Sequence, residues 1–307
     1  MRRRCLGGAS SGLCYHPRMK SSRSQFLTVR GLRYHVREWG EEGAPKLFML
    51  HGWMDASASF QFIVDALASD WHVIAPDWRG FGASGWSGGD TYWFPDYFAD
   101  LEVLLGHFQL EGRVRLIGHS MGGNVALMYA GIRPGRVERV VALDAFGLAG
   151  RPAEDAPGRY EKWLLELSTQ VSFRSYPDRA ALAERLLHND ARLSPERAAW
   201  LAEHVGVENG EGGIRMAGDP VHRRLNPVLY RRAEAEACWR RCSAPVLMVE
   251  PREPELRRRV GVDDGVHQAA LGCFRDLRVE RLADAGHNLH HHQPEAVARI
   301  AEAFLLS

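Results

Sequence analysis

The stretch RVRLIGHSMGGNVALMYAGIR, residues 113–133, decides the fold. It opens as an apolar strand, RVRLIG, and closes as a helix, NVALMYAGIR. Between them Gly118, Gly122 and Gly123 crowd around Ser120. Glycine is costly inside either kind of element, so its concentration here needs a steric reason. A serine on a very sharp strand-to-helix turn supplies one, because strand and helix approach closely and leave no room for side chains at the flanking positions of G-x-S-x-G. Such a turn lifts the hydroxyl above the carboxyl edge of a sheet and leaves the next amide, that of Met121, free to face an oxyanion.

Working outward, short apolar runs alternate with longer amphipathic ones, the rhythm of strands and helices layered about a mostly parallel sheet. QFLTV and LRYHVREW read as an opening pair of strands joined at Gly31, followed by the strands KLFML and WHVIA with the helix SASFQFIVDALA between them. After the glycine-rich loop DWRGFGASGWSGG, the segment WFPDYFADLEVLLGHF has helical spacing. VERVVALD, APVLMVE and LRVERL complete the strands, and PEAVARIAEAFLL is a closing helix. Between about Gly147 and Cys242 apolar strand runs vanish and Arg, Glu and Ala dominate, which marks an inserted helical layer. The division expected is therefore a core of residues 25–146 and 243–307, a helical cap over 147–242, and a disordered extension over 1–24. The extension's first residues, MRRRCLGGASSGLCYHPR, are basic and lack an apolar signal core.

Composition bounds the function. The 307 residues carry 39 basic and 38 acidic side chains, a net charge of +1, so no global field favours nucleic acid or an anionic membrane. A small-molecule substrate is expected, with no nucleic-acid or membrane partner; nothing in the sequence sets an oligomeric state. Five scattered cysteines make no disulfide framework and suit the cytoplasm. Cys238 and Cys242 have no second ligand pair at metal spacing and read as ordinary buried thiols.

A serine hydroxyl is a weak nucleophile near neutrality and needs a base within hydrogen-bond reach. Of 14 histidines, His287 stands in a loop between the last strand and last helix, with Gly286 giving it backbone latitude, whereas His35, His72, His107 and His188 fall inside regular elements. In MLHGWMD, a His-Gly turn after a buried strand leaves the Trp53 amide free to join that of Met121 as a second oxyanion donor, with His51 a structural hydrogen bonder. Asp55 reads as a solvated loop carboxylate, and Asp77, Arg79 and Gly80 as residues that order their loop. The run His290, His291, His292 has no carboxylate or cysteine set beside it, so no metal and no cofactor is expected; no phosphate-cradling glycine loop appears.

Taken together, HGW, DWRGFGAS, GHSMGG and AGHNLHHHQPE, in that order, resemble the α/β-hydrolase family of the capped kind, across about residues 25 to 307. VALDAF, PGRYEKWL and CWRRCSAPVLMVE are similar to the proteins called serine hydrolase-like. The resemblance implies an eight-stranded sheet flanked by helices, a helical cap, Ser120 as nucleophile and His287 as base. The third member departs from the family pattern: after PVLMVE the turn reads EPREPE, with Pro254 where the acid normally stands. Some relatives carry the acid one strand earlier, where this chain has Asp144. It is the first choice, and Glu253 the alternative.

A serine cannot form the alkyl ester made by the aspartate of dehalogenases and epoxide hydrolases, so acyl transfer to water is the expected reaction, on a carboxylester or lactone. A carbon-carbon bond hydrolase, or a scaffold that binds without turnover, are the alternatives. Trp163, Tyr160, Phe173, Tyr176, Trp200 and Tyr230 are the aromatics offered for an apolar pocket under the cap.

Overall fold

The computed structural model describes residues 19–307. Its strands are β1 (Ser22–Val29), β2 (Leu32–Trp39), β3 (Lys46–Leu50), β4 (His72–Pro76), β5 (Val114–His119), β6 (Val137–Leu143), β7 (Gly206–Glu208), β8 (Ile214–Met216), β9 (Val246–Pro251) and β10 (Leu277–Leu282). The helices are α1 (Gln61–Ala66), α2 (Phe94–Phe108), α3 (Met121–Ile132), α4 (Ala156–Leu167), α5 (Arg179–Asn189), α6 (Pro195–Val205), α7 (Arg232–Arg241), α8 (Glu255–Arg259), α9 (Asp264–Leu271), α10 (Leu289–His292) and α11 (Pro294–Leu305). All eight strands read from the sequence meet in one sheet, in the order β1-β2-β4-β3-β5-β6-β9-β10. The pairs β1–β2 and β2–β4 are antiparallel and the rest are parallel.

Period-two alternation splits the core between the two faces of this sheet. On β3, Phe48 and Leu50 join one cluster while Leu47 and Met49 join the other. The first face is covered by α2, α3 and α7, through residues such as Leu104, Val125 and Trp239. The opposite face carries α1 and α11, through Ile63, Val297 and Phe304. Both faces being covered explains why these strands read as near-continuous apolar runs.

Two boundaries differ from those expected, and the insertion contains an element not foreseen. Ser22, Arg23 and Ser24 are not an extension but the first rungs of β1, paired with Trp39, Glu38 and Arg37; residues 1–18 of the expected extension lie outside the described residues. The inserted layer stops before α7: this helix packs on α3, and its Trp239, only 1% exposed, belongs to the core cluster under the sheet. Hydropathy alone hid this because α7 is rich in Arg and Glu around a narrow apolar edge. Within the insertion, β7 and β8 form a small antiparallel hairpin beside α5 and α6, too short to register as an apolar run.

Candidate active site

The parallel pairing of β5 with β6 sets Gly118 beside Ala142 and His119 beside Leu143, so the residues that follow, Ser120 and Asp144, leave the sheet side by side at its carboxyl edge. Both have left-handed backbone. Ser120 has φ 51° and ψ −114°, and Asp144 has φ 44°. For a residue with a β-carbon this costs on the order of 1–3 kcal/mol and persists only where neighbours enforce it. Here they do: Ser120 N–H donates to Leu143 O at 2.9 Å, and Asp144 N–H to Val249 O at 2.8 Å. The glycines have the expected steric role. A β-carbon on Gly122 would run into the Leu50 carbonyl, and one on Gly118 would stand 2.5 Å from Gly122 O.

His287 arrives on the loop after β10. Its Nε2 is 3.0 Å from Ser120 Oγ and its Nδ1 is 2.6 Å from Asp144 Oδ2. Because an ionised carboxylate only accepts, Nδ1 carries the proton and Nε2 faces the hydroxyl with its lone pair. Burial raises the Asp144 carboxyl above its ordinary range, and the hydrogen bond and charge of His287 only partly counter it. Glu253, the alternative acid, is exposed. Glu250 instead meets His267 at 2.6 Å, and Glu255 meets Arg192 at 3.7 Å.

His51 is fully buried and structural. Its Nε2 accepts from Trp78 N–H at 2.9 Å, its Nδ1–H donates to Gly52 O at 2.8 Å, and its carbonyl accepts from Trp78 Nε1–H at 3.1 Å. This holds the 51–54 turn against Ser120, so that a β-carbon on Gly52 would lie 3.3 Å from Ser120 Cβ. Trp53 and Met121 both line the cavity that contains Ser120. Asp77 is buried and orders its loop as expected: its carboxylate bonds His35, the Ser57 amide and the Ala83 amide. Arg79 is paired with buried Asp100 at 2.5 Å and 2.6 Å.

Several residues escaped the sequence reading. His119, the variable residue before Ser120, is buried and donates from Nε2 to the His287 carbonyl at 3.0 Å, tying the turn at Ser120 to the loop that carries His287. Asp190, on the loop after α5, holds that loop from the other side through His292 and Asn288, each at 2.9 Å. Asp55 is not a solvated loop carboxylate. Burial raises its carboxyl, Ser59 donates to it at 2.7 Å, and it stands beside His119 and His290.

The cavity over Ser120 has a volume of about 580 Å³. Its apolar lining comes from the loop ahead of α2 (Tyr92, Trp93), the turn after Asp144 (Phe146, Leu148), Val221 of the insertion, and Leu256 and Val260 at α8. The six aromatics offered from the inserted layer are absent from that lining. Tyr230 instead packs in the main core, Trp200 stacks on His204, Tyr176 bridges to Ile214, and Tyr160 is exposed. The density of aromatics in TYWFPDY was a usable signal, but periodicity assigned it from Trp93 onward to the start of a helix.

A family model described as the alpha/beta hydrolase fold matches residues 45–211. The chain belongs to this family. The serine hydrolase-like protein of Danio rerio is 30% identical to it over 278 residues, 87% of this chain and 83% of that protein. A 3-hydroxybutyrate-oligomer hydrolase from Cupriavidus necator is 26% identical over 295 residues, 91% of this chain and 96% of that one. Among solved structures, a thioesterase domain from the curacin biosynthetic pathway superposes with a TM-score of 0.83 at 23% identity, over 92% of this chain and 99% of that domain. The α/β-hydrolase chain is thus a hydrolase by family and fold. No described helix is long and apolar enough to cross a membrane.

Proposed function

We propose that the protein is a serine hydrolase cleaving a small carboxylester or lactone through an acyl-enzyme. The observation that carries this reading is the unbroken line from Asp144 Oδ2 to His287 at 2.6 Å and on to Ser120 Oγ at 3.0 Å, opening into the apolar cavity. In this reading Ser120 Oγ attacks the substrate carbonyl as His287 Nε2 takes its proton, and Asp144 holds the tautomer and stabilises the imidazolium. The Met121 and Trp53 amides receive the oxyanion. His287 then returns the proton to the leaving alcohol, water repeats the attack on the acyl group, and Ser120 is released.

An ester substrate is supported by the similarity to the 3-hydroxybutyrate-oligomer hydrolase, 26% identical over most of both chains. A scaffold without turnover drew its sequence support from the disrupted acid slot. That support goes once Asp144 stands in bonding distance of His287. Cys238, Cys242 and Cys273 are free thiols, which supports a cytoplasmic setting. The test is labelling by a fluorophosphonate together with hydrolysis of a short p-nitrophenyl ester. Both are expected in the native protein and absent from Ser120→Ala; turnover that survives the substitution removes Ser120 from the mechanism.

A further inference from the structure

Behind the nucleophile turn, on the side away from the substrate cavity, Asp55, His119 and His290 bring one ligand atom each within 4.8 Å of one another. None of the three lines the cavity over Ser120. What sets the cluster apart from an ordinary buried polar group is its hydrogen bonding. His119 is 3% exposed and His290 is 0% exposed, yet His119 Nδ1 and both ring nitrogens of His290 have no hydrogen-bond partner. Buried polar atoms are ordinarily satisfied, and an orphan costs about 1–3 kcal/mol.

The tautomers sharpen the point. His119 Nε2 donates to the His287 carbonyl, so the proton sits on Nε2 and the Nδ1 lone pair is bare. A ring nitrogen tied to a carbonyl while the other offers its lone pair is the arrangement that prepares an imidazole for a metal. Burial and the neighbouring imidazoles push both His119 and His290 well below the ordinary histidine range. Asp55 accepts from Ser59 through Oδ2, which orients its carboxylate. The cluster therefore gathers two imidazole lone pairs and a carboxylate around one point.

We propose that Asp55, His119 and His290 form a binding site for a divalent transition cation of the zinc class. Two imidazoles and one carboxylate suit Zn²⁺ and its spectroscopic stand-in Co²⁺, whereas Mg²⁺ and Ca²⁺ take all-oxygen sets. With metal–ligand bonds of about 2.0–2.1 Å, tetrahedral ligands lie about 3.4 Å apart, so the widest pair closes by about 1.4 Å on binding. Asp55 is the member able to make that movement, since it sits half-buried on the loop ahead of α1 while the two histidines are packed. Water completes the fourth position. The bound ion clamps His119, and through its bond to the His287 carbonyl the loop that carries the base.

The experiment uses untagged full-length protein stripped with a chelator and titrated with Zn²⁺ by calorimetry and with Co²⁺ by visible absorption. The expected result is one ion per chain, a Co²⁺ spectrum of the intense four-coordinate type, and a rise in Tm of roughly 5 °C at a hundredfold excess over Kd. Asp55→Asn keeps an acceptor for Ser59 and His290→Gln keeps a polar side chain; each weakens binding at least tenfold. Asp144→Asn, which breaks the other nearby carboxylate–imidazole pair, leaves affinity within threefold. Absence of stoichiometric binding to the native protein overturns the proposal, as does binding that Asp144→Asn abolishes and Asp55→Asn spares.

Discussion

Replacing Asp144 by Asn tests the proposed chemistry with little disturbance of the fold. Asn tolerates left-handed backbone as well as Asp does, so the φ of 44° and the amide bond to Val249 O survive the change. What is lost is the charge facing His287. With 2.6 Å between Nδ1 and Oδ2, the centres of the carboxylate and imidazolium charges stand about 4 Å apart, and at an effective dielectric near 20 their attraction is about 4 kcal/mol. That interaction exists only once the imidazole has taken the serine proton, so its loss falls on the transition state and lowers kcat by about 10³-fold. If the Asn amide turns its NH₂ to Nδ1, the proton moves to Nε2, the lone pair facing Ser120 disappears, and the loss approaches ~10⁴-fold.

The assay is steady-state hydrolysis of a short p-nitrophenyl ester, with KM expected within a few-fold of native. Glu253→Gln serves as the control and is expected to be indistinguishable from native, because Glu253 is exposed and outside the bonded set. Stability moves the other way. The Asp144 carboxyl is raised by burial, so its ionised form costs folding free energy above its folded pKa, and the cost is relieved as the pH falls through that value. At pH 7 Asp144→Asn therefore unfolds at no lower temperature than native, and any advantage shrinks in acid. Activity within threefold of native in Asp144→Asn, or a large loss in Glu253→Gln, would refute the assignment of the acid.

Three further outcomes are expected. Ser120→Gly should melt higher than Ser120→Ala, by the equivalent of about 1 kcal/mol, since both lack the hydroxyl and only glycine relieves the φ of 51°; equal melting would show that the turn stores no strain. For Asp190, burial raises the carboxyl, but the bonds from His292 and Asn288 outweigh it and hold it at about 2 against an ordinary 3.8. Its stabilisation, about 2 kcal/mol, is present above the unfolded value and lost as pH falls from about 4 to about 2. Asp190→Asn should accordingly lower Tm at pH 7 and match native near pH 2, as followed by circular dichroism. Trp239→Ala should cost about 3–5 kcal/mol in a urea titration, because that side chain fills the core between α3 and α7; a loss below about 1 kcal/mol would return α7 to the inserted layer.

Much of this molecule was legible because its central strands are buried on both faces, which writes β3, β4 and β9 as compact apolar runs, and because the turn at Ser120 demands glycine at fixed offsets. The β5 run followed by G-x-S-x-G sufficed to place Ser120 at a sheet edge, and the loop position of His287 marked it among 14 histidines. Asp144 was reachable by the same logic, as the residue after the neighbouring strand. The helix α7 was misassigned because an apolar edge of Ala235 and Trp239 says that a helix is buried without saying against what. The aromatics of the insertion failed for the same reason: an aromatic at helical spacing says that it packs without saying where, and Tyr230 joins the main core and Trp200 meets Phe62 of α1, while Tyr92 and Trp93 from the loop ahead of α2 reach the cavity.

By itself the sequence determined the local chemistry: which runs form strands, where the chain must turn sharply, and which hydroxyl, imidazole and carboxylate stand at strand ends. Only the tertiary structure decided what converges, because contact between residues 55, 119 and 290, or between 190 and 292, depends on the order in which strands enter the sheet and on the loops that leave it. Local pattern is set by side-chain period and backbone sterics, which act over a few residues. Convergence is set by packing between elements far apart in the chain, and no spacing along the chain encodes that distance.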